Sequence, residues 1–123
     1  MDRRQSPRFP VHLRAEYRRS NDARRHAGRV LDISESGLLL QLSERIEVGQ
    51  NLSLKIFIGS DISKSIEAGV QVVWRQFNKG SGYRIGAKFI HVPSEEMIKL
   101  EILLKHLLNA KTHQGLNRSP RLL

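Results

Sequence analysis

Residues 29–42 read Arg-Val-Leu-Asp-Ile-Ser-Glu-Ser-Gly-Leu-Leu-Leu-Gln-Leu. Two apolar runs, 29–31 and 38–42, enclose a short polar turn, Asp32-x-Ser34-x-x-Gly37. Runs of that length on either side of Ser and Gly read as two strands joined tightly. Outward from this turn the same period recurs. Upstream, Val11, Leu13, Ala15 and Tyr17 alternate with His12, Arg14 and Glu16. Downstream, Leu52, Leu54, Ile56 and Ile58 alternate with Ser53, Lys55 and Phe57. Residues 66–77 carry Val70, Val72 and Trp74 on one face, which places Trp74 in the core. Asn78-Lys-Gly-Ser-Gly82 is a hairpin loop, and Tyr83, Ile85, Ala87 and Phe89 close the series. Alternation of this kind marks half-buried strands. Six of them at short spacing predict a small antiparallel barrel or sandwich.

Pro93-Ser94-Glu95-Glu96 then opens a helix. Ser94 can cap its free N–H groups, and the acids suit the positive end of its dipole. At about 100° per residue, Met97, Leu100, Leu103, Leu104, Leu107 and Leu108 form one stripe facing the strands. The helix is expected to reach about residue 109, followed by a mobile basic tail over 110–123. Ile98 and Ile102 fall outside the stripe, one turn apart. Either the tail or a loop covers them, or they form a dimer or partner contact. The organisation expected is one domain: an extended basic arm over 1–9, strands over 10–92, the helix over 93–109, and the tail.

With 123 residues the chain has room for one core. It has no cysteine, which removes disulfides and thiolate chemistry and fits a reducing cytoplasm. No apolar run has the length of a transmembrane helix, and the N-terminus lacks the apolar stretch of a signal peptide. The formal charge is +9. Residues 1–30 hold nine arginines against three acids, and 111–123 add three cations with no acid, so the two ends account for the whole excess. Such a field favours an anionic partner. It does not by itself choose among a nucleotide, a nucleic acid, a lipid surface and an acidic protein.

Arg4-x-x-x-Arg8 lies ahead of the first strand, preceded by Arg3, and Asp32-x-Ser34-x-x-Gly37 lies between two later ones. In order, spacing and surroundings this pair of motifs resembles the signature of the PilZ family, bacterial receptors for cyclic di-GMP. The resemblance covers roughly residues 3–109. It implies a six-stranded antiparallel β-barrel packed by one amphipathic helix. It also implies a cyclic di-GMP site built from Arg3, Arg4, Arg8, Asp32, Ser34 and Gly37. Similar glycine and phenylalanine positions, here Gly86 and Phe89, occur in the last strand of that family.

The chemistry of the ligand gives the residue types a reason. An arginine fork can bind phosphate oxygens in bidentate fashion, reach guanine O6 and N7, or stack on a base. A carboxylate such as Asp32 can accept from the N–H donors of a guanine edge. Ser34 offers a small hydroxyl. Gly37 permits a positive φ or a close backbone approach. Alone, Arg4 and Arg8 would read as a solvated basic face, and Asp32 and Ser34 as a self-bonded turn. In this family the position of Arg3 is associated with binding one nucleotide or a stacked pair, which predicts two cyclic di-GMP molecules per chain.

Other signals point away from chemistry. Gly80-x-Gly82-x-x-x-Gly86 sits between strands, where a dinucleotide fingerprint would have to open a helix. The five histidines fall in separate elements without metal-type spacing. There is no G-x-S-x-G elbow. The chain therefore reads as a cytoplasmic receptor, with no enzymatic activity, cofactor or metal, that orders its arm on binding and signals to a downstream protein. Two alternatives remain. One is a small basic barrel that binds nucleic acid, though only six percent of the residues are aromatic and stacking platforms are few. The other is a ligand-free adaptor of the same fold.

Overall fold

The computed structural model describes residues 7–59 and 64–121, with side chains to residue 111. Six strands, β1 (Phe9–Arg19), β2 (His26–Ile33), β3 (Gly37–Leu42), β4 (Asn51–Phe57), β5 (Ser65–Asn78) and β6 (Gly82–His91), precede one helix, α1 (Ser94–Arg121). The strands close into a barrel in the order β1-β2-β3-β6-β5-β4, and every neighbouring pair is antiparallel. Closure leaves no unpaired edge.

The alternation read from the sequence becomes the inside and outside of this barrel. Ala15, Tyr17, Val30, Ile33, Leu38, Leu40, Leu42, Leu52, Leu54, Ile56, Ile66, Val70, Val72, Ile85 and Ala87 fill the interior. The intervening polar residues stand on the outer wall, as a period of two requires. At one end of the barrel, Glu44 accepts from the Tyr17 hydroxyl and from Arg19 Nη2 at 2.9 Å. Burial pushes the Tyr17 phenol far above its ordinary value, and the Glu44 bond and charge reinforce the shift.

α1 packs on the barrel through Leu100 and Leu103, both buried, with Leu104 and Leu107 partly covered. Its first turn is tied to β5: the Glu67 N–H donates to Glu96 Oε1 at 2.8 Å, and Lys99 Nζ donates to the Ser65 carbonyl at 3.1 Å. The Glu67 bond, followed by Lys99, lowers the Glu96 carboxyl below its usual range.

Four expectations need correction. The barrel begins at Phe9, not residue 10, because Phe9 pairs with Ile33 and buries its ring, so the arm stops at Arg8. Met97 and Leu108 are exposed, leaving a narrower stripe than the periodicity suggested. The α1 backbone continues to Arg121 and does not stop near 109. Residues 110–114 contain neither glycine nor proline, so no chemical stop lies where the amphipathic pattern fades. Trp74 stands outside the barrel, 41% exposed, for a reason that bears on the site.

Candidate functional site

The β2–β3 turn is held by Ser34. Its hydroxyl accepts from the N–H groups of Ser36 and Gly37 at 3.3 and 3.2 Å and lies 3.2 Å from the Gly37 carbonyl. The Ser34 N–H donates to that same carbonyl at 2.8 Å. Ser34 is accordingly buried, at 4% exposure. Its hydroxyl serves the turn, the structural role that Ser and Asp side chains have in such motifs. The turn is stitched to the next strand as well, since the Phe89 N–H donates to the Ser36 carbonyl at 3.0 Å.

Gly37 is demanded by packing rather than by a left-handed backbone. A β-carbon there would lie 2.2 Å from the Ala87 carbonyl oxygen. β3 can approach β6 at this point only without a side chain.

Asp32 projects from the outer face of β2. There Arg8 Nη2 meets Asp32 Oδ1 at 2.9 Å. The two motif halves are thus joined by an ion pair, with the Arg8 side chain 58% and the Asp32 side chain 21% exposed. Arg3 and Arg4, the remaining arm residues singled out above, lie outside the described residues.

The ladder register identifies what else shares this surface. Asp32 pairs with Pro10 on β1 and Leu39 on β3; Leu39 pairs with Gly86 on β6; Gly86 pairs with Trp74 on β5. These residues form one transverse row on the outside of the barrel. The Trp74 indole lies over Gly86 so closely that a β-carbon at Gly86 would sit 2.2 Å from Trp74 Nε1. Gly86 is two strands from Asp32, roughly 10 Å at the usual spacing. An exposed aromatic face, a carboxylate and a guanidinium therefore lie within the reach of one nucleotide-sized ligand. On the next row, Lys88 pairs with Gly37 and stands exposed beside the turn.

Sequence reading missed Trp74 because it extended the Val70/Val72 alternation. A bulge between Val72 and Trp74 inserts one residue and reverses the parity. A small residue at Gly86 was the only signal, and it becomes legible once the register is known.

The helix offers a second, separate feature. Ile98 and Ile102 are exposed at 58% and 64%. Ile102 also lines a cavity of about 470 Å³ with Ile58, Leu103, Lys64, Lys99 and His106. Among the described residues no group of His, Asp or Glu could hold a metal ion, and no helix is long and apolar enough to cross a membrane.

Comparison with known proteins bears on this geometry. The PilZ domain family matches residues 2–108. Among solved structures, the Bacillus subtilis inhibitor of motility MotI/DgrA is similar with a TM-score of 0.73 at 16% identity, over 92% of this chain and 53% of that one. The PilZ domain of YcgR from Escherichia coli, solved with c-di-GMP, is similar with a TM-score of 0.68 at 12% identity, over 93% and 98%. The K. pneumonia MrkH–c-di-GMP complex gives 0.69 at 21% identity, over 90% and 54%. This chain thus spans about half the length of MotI/DgrA and of MrkH. Curated protein sequences yield no match.

Proposed function

The chain belongs to the PilZ domain family, and from that premise we propose that it is a receptor for cyclic di-GMP. The observation that carries the reading is the Arg8–Asp32 ion pair at 2.9 Å on the outer wall, in one row with the exposed indole of Trp74. The structural neighbours YcgR and MrkH were both solved with this nucleotide, which supports the choice of ligand.

In the proposed mechanism the ligand exchanges the ion pair for better partners. Asp32 accepts from the N1–H and N2–H of one guanine, and Arg8 turns to a phosphate or to the Hoogsteen edge. Trp74 offers its face to a base. Ser34 and Gly37 act by fixing the turn that presents Asp32. Arg3 and Arg4 close over the ligand from the arm, which orders on binding. The ordered arm changes the surface offered to a downstream protein, and the protein itself performs no reaction. Two nucleotides bind per chain, and the receptor works in the cytoplasm. The exposed Ile98 and Ile102 serve a dimer or partner contact.

Calorimetry with cyclic di-GMP beside cyclic di-AMP tests the reading. Adenine lacks the N1–H and N2–H donors that Asp32 would accept, so only the guanine compound should bind. Equal affinity for both, or none for either, refutes it.

A further inference from the structure

The outer wall of β1 and β2 breaks a rule of sheet design. Arg14 and Arg29 are directly opposite partners in the antiparallel ladder. Both are exposed, and among the described residues neither has an acidic partner. Three pairs further along the ladder ends at Tyr17 and His26, and Arg18 and Arg25 are the next residues of the two segments. Those two line one cavity of about 200 Å³. Like charges set opposite each other destabilise a sheet. A local rule broken without compensation inside the fold marks a functional surface.

The compensation available is small. Arg14 leans away from Arg29, with its guanidinium carbon 5.1 Å from the Phe57 ring centroid. Arg25 approaches Glu16 only at 4.0 Å, with both side chains more than two-fifths exposed. Asp22 is engaged by Arg24 and His26. Glu67 lines the same cavity as Lys55, Arg18 and Arg25, so cations predominate there. A second cavity of about 270 Å³ continues from the first, sharing Arg18, Ser53 and Gly69 and adding Ser20 and Asn51 as neutral hydrogen-bonding groups.

We propose that this arginine ladder, Arg14 with Arg29 and Arg18 with Arg25, binds the phosphodiester backbone of nucleic acid. Arginine rather than lysine dominates, which suits bidentate phosphate contacts. Arg14 and Arg18 are four residues apart on one strand, about 13 Å. That is close to the ~12 Å width of the major groove of a duplex. The two arginine pairs therefore match phosphates on the two sides of one groove. No Phe, Tyr or Trp lines either cavity among the described residues, and the arginines suit recognition of backbone more than of bases. The ladder uses none of the residues assigned to the nucleotide receptor, and the inference stands or falls separately from that reading.

The test is fluorescence anisotropy of a labelled 20-base-pair duplex with the full chain at 50, 100 and 200 mM NaCl. Replacing all four arginines (R14Q, R18Q, R25Q, R29Q) should lower the slope of log affinity against log salt by about 3.6, at 0.9 per phosphate contact. Affinity at 50 mM salt should fall at least ~100-fold with it. A charge-matched control, Lys64, Lys79, Lys105 and Lys111 each replaced by Gln, should lower the slope by less than ~1. Circular dichroism checks folding. If the fourfold variant does not fold, R14Q with R29Q and R18Q with R25Q, tested as pairs, should each lower the slope by about 1.8. Equal losses in ladder and control variants would reduce the effect to general attraction and overturn the proposal. So would absence of duplex binding, or tighter binding to vesicles of anionic lipid, or to a polyglutamate peptide, than to duplex at matched charge.

Discussion

Replacing Arg8 by Ala is the most direct probe of the receptor reading, because the structure sets both sides of the balance. In the free protein Arg8 contacts Asp32 on an open surface, with the arginine side chain 58% exposed. Such a pair is worth about 0.2–1 kcal/mol. In the complex a charge-assisted bond to phosphate or guanine is worth about 1.5–3 kcal/mol. The ligand must first break the ion pair, so the net loss in Arg8→Ala is about 0.5–2.8 kcal/mol, roughly 2- to 110-fold in affinity. Calorimetry of both proteins at two salt concentrations measures it. Thermal denaturation should change little, since Arg8 precedes β1 and its side chain lies outside the core. An Arg8→Ala protein that is folded and binds cyclic di-GMP as the wild type does would remove the arm from the mechanism. A mutant that binds more tightly would show that the ion pair competes with the ligand and that Arg8 never reaches it.

Trp74 is the chain's one tryptophan: cyclic di-GMP should quench its emission, and Trp74→Ala should lose about 1–3 kcal/mol of affinity by calorimetry, whereas unchanged emission at saturation would take the indole out of the site. Gly37→Ala forces a β-carbon to within 2.2 Å of the Ala87 oxygen and should destabilise the fold by at least ~2 kcal/mol in urea; a wild-type midpoint would mean that β3 can shift. Because the native Tyr17 phenol titrates well above its ordinary value of 10.0, the stability it contributes is complete below pH 10 and declines above it, by about 1.4 kcal/mol per unit. Denaturation of wild type and Tyr17→Phe from pH 8 to 11 should therefore converge at the alkaline end, and parallel curves would contradict the buried phenol. Arg3→Leu should reduce two bound nucleotides per chain to one, because a leucine can neither stack on an exposed guanine nor offset added phosphate charge; a wild-type stoichiometry of one would count directly against that role.

The barrel was legible because it is built from alternation, and alternation is visible wherever strands stay regular. Val11 to Tyr17 and Leu52 to Ile56 point inward as read, and the polar residues between them form the wall. Asp32, Ser34 and Gly37 were legible as a group, yet their roles divide only in three dimensions. Asp32 faces solvent and Arg8, Ser34 spends its hydroxyl on the turn, and Gly37 makes room for Ala87. The end of α1 was less legible: apolar periodicity tracks contact with the barrel, and the helix outlasts that contact over 110–114, where neither glycine nor proline interrupts it, and continues through Gly115 to Arg121.

Trp74 shows why the remainder of the site resisted reading. Period-two logic carries a face along a strand only while each residue has one partner. The bulge between Val72 and Trp74 supplies an extra residue, and everything beyond it changes sides. Without that insertion the indole would join Val70 and Val72 in the barrel, and the row containing Asp32 would lack an aromatic. Bulges recur beside binding sites because they re-aim a side chain without altering the sheet around it. The irregularity that defeats the sequence rule is therefore what puts an exposed indole on the proposed binding surface. Gly86 completes the arrangement, since any side chain at that position would lift the indole off the wall and away from the carboxylate two strands across.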